Sequence, residues 1–227
     1  MQALKVTFHL RRPVVEQDDR PLHLDALLTA GRARQLELAG DEDAWTNALD
    51  LSGLLEREQD VWKASWLFGQ ADGRRDSVVE QHILVRRSAQ AGNYYEALAA
   101  GHFDHKAKDT WSLDSGSGPY KGFMLPLNVR HILTYTAWAV GNADAILETL
   151  AHVKSIGKVR RNGYGQIDCV KITPAPAGEA EHWRLRTLRE GMTPLDGMPY
   201  APTQATVTAP YWQRTARVAA IEPIGIL

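Results

Sequence analysis

The sequence predicts an α+β fold built on an antiparallel sheet, of the ferredoxin-like kind, and three observations carry the prediction. A strand-period run opens the chain, a leucine-patterned helix follows it, and a second helix leads through a glycine-rich turn at 157–165 into another strand.

In M-Q-A-L-K-V-T-F-H-L, Leu4, Val6, Phe8 and Leu10 fall on one face and Lys5, Thr7 and His9 on the other, the period of a half-buried strand. After the R-R-P turn, Leu24, Leu27 and Leu28 repeat at helical spacing, so the first helix starts near 22–24. Residues 40–75 break the alternation with G-D-E-D and L-S-G-L-L-E-R-E-Q-D before V-W-K-A-S-W-L-F-G, and they read as an insertion that ends in a strand. A further strand is expected at 78–85, flanked by Arg74, Arg75, Arg86 and Arg87. Between 113 and 122, L-D-S-G-S-G-P-Y-K-G reads as a loop, because its glycines and proline suit neither a helix nor a central strand. Val129, Ile132, Leu133, Thr136, Ala137 and Val140 then predict a core-facing helix that Gly141 stops. Asn142 is the expected N-cap of the next helix, with Asp144 in its first turn and Ile146, Leu147, Leu150 and Val153 as the buried face down to Gly157. Strands are expected at 167–172, 183–188, 206–209 and 216–221, with 189–204 as an aperiodic connection. Taken together, 1–227 reads as a single domain with 189–227 as a C-terminal extension.

The 44% hydrophobic and 23% charged residues are ordinary for a globular protein, and no run reaches the roughly 18 to 20 apolar residues of a membrane helix. The opening lacks a signal peptide's apolar core, so a cytoplasmic location is expected. One cysteine, Cys169, excludes an internal disulfide and a paired-cysteine zinc site, and it is expected to be a small buried hydrophobe. The net charge of −1 argues against coating nucleic acid with the whole surface and leaves room for a local basic site.

That basic site is legible at 154–165. Lys154, Lys158, Arg160 and Arg161 occur with no acid among them, and Asn162, Gly163, Tyr164 and Gly165 follow at once. Glycines let the backbone approach an anion, cations supply charge and forked donors, and a tyrosine offers a stacking face for a base. The pattern fits single-stranded RNA. It equally fits a glycine helix stop followed by a cationic hairpin turn, and it is neither a Walker loop nor a dinucleotide-binding fingerprint.

The run I-G-K-V-R-R-N-G-Y-G-Q-I resembles the C-terminal glycine-rich loop of the RAMP superfamily, the RRM-type proteins of CRISPR systems, whose loop ends Gly-aromatic-Gly before a strand. The openings K-V-T-F-H-L-R-R-P-V-V and P-L-H-L-D-A-L-L resemble that superfamily's first strand and helix. With the size and P-Y-W-Q-R at 210–214, the resemblance narrows to the Cas five type subunit of type IV systems, the Csf three family. What it implies is a RAMP core that caps the 5′ handle of a crRNA in a multisubunit effector complex for DNA interference. The implied partners are Cas seven type backbone and Cas eight-like large subunits, nearby target DNA and a recruited helicase, with no membrane and no cofactor or metal. The expected RNA contacts are Lys154, Gly157, Lys158, Arg160, Arg161, Asn162, Gly163, Tyr164, Gly165, Lys121, Arg11 and Arg12. Residues 40–75 would be the inserted thumb-like hairpin, with Trp45, Trp62 and Trp66 as stacking or packing groups.

Relatives in the superfamily include metal-independent ribonucleases, so the histidines matter. His23 at the start of the first helix is the candidate general acid or base, and it equally suits a cap or a packing role near Asp25. His9 falls on the polar face of the first strand, and His102 and His105 flank Asp104. Asp25, Asp104 and Asp109 are spaced like caps and solvated loops rather than Mg²⁺ ligands. Three functions remain open: a non-catalytic guide-RNA binder, a pre-crRNA processing endoribonuclease, and a protein-docking scaffold.

Overall fold

The alternation that opens the chain becomes strand β1 (Gln2–Leu10), which buries Leu4, Val6, Phe8 and Leu10 and leaves Lys5, Thr7 and His9 half-exposed. In the computed structural model, which describes residues 1–15, 21–70, 79–86, 96, 99–101 and 122–225, the elements after β1 run in chain order as follows. They are β2 (Val14–Val15), α1 (Leu24–Leu38), α2 (Ala44–Asn47), β3 (Arg57–Glu58), β4 (Val61–Trp62), β5 (Phe68–Gln70) and β6 (Val79–Arg86). Then come β7 (Phe123–Arg130), β8 (Thr134–Gly141), α3 (Ala143–Leu150), β9 (Ile167–Pro174), β10 (Leu188–Arg189), β11 (Tyr200–Ala205) and β12 (Val218–Pro223). The chain divides into two compact units, one of 1–78 with 130–227 and the other of 79–129.

The first unit is organised by a four-stranded sheet in the order β5-β8-β1-β9, antiparallel throughout. Val6 faces Ala137 on one side and Ile172 on the other, which puts β1 in the middle of the sheet. The apolar stripes of α1 (Leu24, Leu27, Leu28) and α3 (Ile146, Leu150) pack on the Leu4–Val6–Phe8 face. Leu51, Leu54, Leu55 and Trp62 join the same core, so 44–70, most of the expected thumb, is part of the main body rather than a projection. Over the opposite face, Lys5 Nζ donates to Glu179 Oε2 at 3.2 Å and Trp138 Nε1 to the same oxygen at 2.6 Å. The Trp138 N–H, and after it the Lys5 ammonium, hold the Glu179 carboxyl below its ordinary range.

A three-stranded sheet, β10-β12-β11, follows toward the C-terminus and gathers Trp183, Leu188, Met192, Val207 and Ala220 around Val61 of β4. Within the 79–129 unit, β6 and β7 are hydrogen-bonded neighbours. None of the described helices is long and apolar enough to cross a membrane.

Several expectations are corrected. Residues 129–140 are not a helix: 134–141 form β8, burying Tyr135, Ala137 and Ala139, with Gly141 also inward. The small inward alanines weakened the alternation, while the aromatic and β-branched Tyr135, Thr136, Trp138 and Val140 favour a pleated strand. Helix α3 stops at Leu150, well short of Gly157, and Leu147 lies on its exposed side. A strand is absent over most of 183–188, where His182–Arg184 form a single 3-10 turn and only Leu188–Arg189 pair. The final strands sit at 200–205 and 218–223, and the first was masked by Pro202, which an edge strand tolerates. Cys169 is exposed rather than buried, because it pairs with His9 on the sheet face turned away from α1 and α3.

Candidate nucleic-acid interface

The glycine-rich segment is a loop held at both ends before any ligand arrives. Asn142 caps α3 by accepting from the N–H groups of Asp144 and Ala145 at 3.1 and 3.3 Å, as its position predicts. Beyond α3, Ile156 is buried, and its N–H donates to the Gly165 carbonyl at 2.9 Å, closing the loop at its base. The Lys158 N–H donates to the Val15 carbonyl and the Gly165 N–H to the Pro13 carbonyl, both at 2.8 Å, so the loop is laced to the strand end that leads out of β1.

Two glycines are required by this lacing. Gly165 has φ +63, and a Cβ there would lie 1.9 Å from the Ile156 carbonyl oxygen. Gly157 has φ +78, and its Cβ would meet Val14 Cγ1 at 2.5 Å and the Val15 oxygen at 2.7 Å. Val159, with φ +53, takes the left-handed conformation without a glycine's freedom. A 3-10 turn at Arg160–Asn162 follows, and the Gly163 N–H donates back to the Arg160 carbonyl at 3.0 Å.

Lys158, Arg160 and Arg161 project from this frame into solvent, and none of them has an ion-pair partner among the described residues. Asn162 and Gly163 are exposed beside them, and Tyr164 is half-buried. Arg11 and Arg12 are brought alongside, because the Arg11 N–H donates to the Gln166 carbonyl at 2.8 Å. Arg12 is exposed, whereas Arg11 is engaged with Asp168. Lys154 folds back to donate to the Ala151 carbonyl at 2.7 Å, serving the end of α3. The arrangement offers separate, solvated cations on a pre-shaped turn, which suits phosphate oxygens. Lys121 lies outside the described residues, as do Arg74, Arg75, Arg87, His102, Asp104, His105 and Asp109.

The other expected residues serve the interior. Trp62 and Trp66 are buried side chains, while Trp45 is 62% exposed and donates to Glu37 Oε1 at 3.0 Å. Asp25 is buried on α1 and holds no place for Mg²⁺: it accepts from Tyr211 Oη at 2.6 and 2.8 Å and from both terminal nitrogens of Arg186 at 3.3 Å. Arg186 is itself fully buried and donates also to the carbonyls of Trp62, Ala64, Val207 and Thr187. Burial alone lowers its pKa, yet Asp25 and Tyr211 outweigh that and hold the guanidinium above its ordinary value. His23 stacks on Tyr211 with ring centroids 3.8 Å apart. Burial first, and then the Arg186 cation, keep its imidazole well below the usual 6.5 and hence neutral. No sequence signal marked Arg186, and Tyr211 is marked only as part of P-Y-W-Q-R, since their partner Asp25 is far away along the chain.

Comparisons with known proteins place the chain. Two solved structures resemble it at low identity. One, titled "Crystal structure of Csm3-Csm4 subcomplex in the type III-A CRISPR-Cas interference complex", is 9% identical with a TM-score of 0.38, over 98% of this chain and 91% of that one. The other, titled "CRISPR RNA-guided surveillance complex", is 12% identical with a TM-score of 0.31, over 85% of this chain and 71% of that one. No curated protein matches. The family described as CRISPR type IV associated protein Csf3 matches residues 2–223, nearly the whole sequence, with the glycine-rich loop and the β1–α1 opening inside the match; the chain belongs to that family.

Proposed function

We propose that the chain is a non-catalytic crRNA-binding subunit, of the Cas five type, that caps the 5′ handle of the guide RNA in a type IV CRISPR effector complex for DNA interference. The observation that carries this reading is the trio Lys158, Arg160 and Arg161, exposed and without ion-pair partners among the described residues, on a loop fixed by Pro13, Val15 and Ile156. The strand order β5-β8-β1-β9, with α1 following β1 and α3 following β8, supports a ferredoxin-like, RRM-type core behind the loop. Family membership supports the type IV setting. In it the subunit meets Cas seven type backbone and Cas eight-like large subunits, lies near target DNA, and works in the cytoplasm with a recruited helicase. The loop holds cations, glycines and a tyrosine but no histidine or carboxylate, which suits binding rather than acid–base chemistry.

Reversing the three charges together (Lys158→Glu, Arg160→Glu, Arg161→Glu) should abolish copurification of crRNA with the assembled complex while the melting temperature stays within about 2 °C. Undiminished crRNA retention by that variant would refute the reading. Purified protein should also leave a repeat RNA intact in EDTA; cleavage that His23→Ala stops would replace binding by processing.

A further inference from the structure

Away from the glycine-rich loop, β11, β12 and the segments around His23 and Tyr211 enclose an open pocket of about 450 Å³. Pockets of this size hold small ligands. Two of its lining residues are stacked rings, His23 and Tyr211, the latter locked by its hydrogen bonds to Asp25. At the rim, Trp212 is 77% exposed, an apolar face of large area that nothing in the chain covers among the described residues.

Most of the pocket's lining is polar, and two of its groups, Glu222 and Arg217, carry charges of opposite sign. Glu222 is half-buried, and its Oε1 accepts only a long 3.5 Å hydrogen bond from Thr187. It has no ion pair among the described residues, and burial raises its pKa. A half-buried carboxylate so placed lacks donors, and a ligand that supplies them relieves the cost. Arg217 is exposed on the same pocket and likewise without an ion pair among the described residues. An aromatic platform, a carboxylate short of donors and a free guanidinium are the three elements that recognise a nucleotide: stacking, edge reading and phosphate contact.

We propose that this pocket takes one unstacked guanine base of a single-stranded RNA, with Trp212 stacking on the ring, Glu222 accepting from its N1–H and N2–H, and Arg217 meeting the adjoining phosphate. Guanine follows from the carboxylate, because an ionised carboxylate accepts and cannot donate. Guanine alone among the four bases presents two adjacent donors to it, whereas adenine and cytosine offer one amino group beside a ring acceptor and uracil one N–H between two carbonyls. The inference rests on the chain being an RNA binder and adds a second, base-reading contact to the phosphate-reading loop.

Four fluorescein-labelled tetranucleotides, UUGU, UUAU, UUCU and UUUU as RNA, titrated with the full chain and read by anisotropy, test it. UUGU should bind about tenfold more tightly than the other three. Glu222→Gln should weaken UUGU about tenfold and leave the others within about twofold. Trp212→Ala should weaken all four by about tenfold, while Trp212→Phe, which keeps a stacking face, recovers most of the loss. Equal affinity for the four RNAs, no binding of any, or no effect of Trp212→Ala overturns the pocket. A wild-type chain that retains crRNA yet treats the four alike overturns only the pocket, whereas loss of the handle-binding reading is decided separately by the charge-reversed loop.

Discussion

Arg160 and Arg186 carry the same guanidinium to opposite surroundings, one in water on the glycine-rich loop and the other buried on seven hydrogen bonds between α1, β4 and the C-terminal segment. The loop's frame is complete without its cations, so they are available to a ligand. The interior around Arg186 is incomplete without the cation, so it is available to nothing else. Charge alone does not mark a binding residue; the partners already satisfied decide.

The contrast is broken most severely by Arg186→Ala, which takes the buried cation from Asp25 and a hydrogen bond from each of four carbonyls. We expect a loss of about 3–5 kcal/mol in urea unfolding, and a loss below about 1 kcal/mol would mean the network adds little. Next is the frame of the loop. Gly165→Ala should cost about 1–3 kcal/mol by the same measurement, since the conformation is left-handed and the Ile156 carbonyl blocks the new carbon, and it should lower RNA affinity with it.

The His23–Tyr211 contact gives a smaller, pH-dependent effect. His23 is held neutral when folded, whereas the unfolded chain takes up a proton as pH falls through about 6.5. Stability is therefore untouched above that pH and declines below it, by up to about 1.4 kcal/mol per pH unit. His23→Phe, which keeps a ring against Tyr211, should flatten the decline between pH 6.5 and 5; an unchanged slope assigns it to other groups. The smallest stability effects belong to the exposed cations. Arg160→Ala or Arg161→Ala should stay within about 0.5 kcal/mol in unfolding, while each lowers the slope of log K against log salt for RNA by about 0.7. Arg11→Ala, which removes an exposed ion pair, should cost no more than about 1 kcal/mol.

What was legible in the sequence was what short-range pattern controls. β1 announced itself because Leu4, Val6, Phe8 and Leu10 alternate against polar neighbours, and the loop because its glycines and cations are contiguous. β8 is hard to read because Ala137, Ala139 and Gly141 on its inward side are small, so the strongest apolar positions fall by coincidence at helical spacing. The pairing of Asp25 with Arg186, and the closing of the loop by Pro13 and Val15, join residues distant in sequence. Such contacts are fixed by the fold and leave no local trace. Trp212, Arg217 and Glu222 were equally hidden, although P-Y-W-Q-R had stood out as a string.

Val159 carries a consequence for timing. A valine held at φ +53 persists only where its surroundings leave no alternative, and here Lys158 on one side is pinned to Val15, while on the other the Asn162 N–H donates to the Val159 carbonyl and Gly165 is pinned to Pro13. The cost of shaping the loop is met when the chain folds, not when RNA arrives. Capture of a guide strand should then be limited by encounter, with a small heat-capacity change. Val159→Gly, which relaxes the turn while leaving every charge in place, should slow association more than it hastens release.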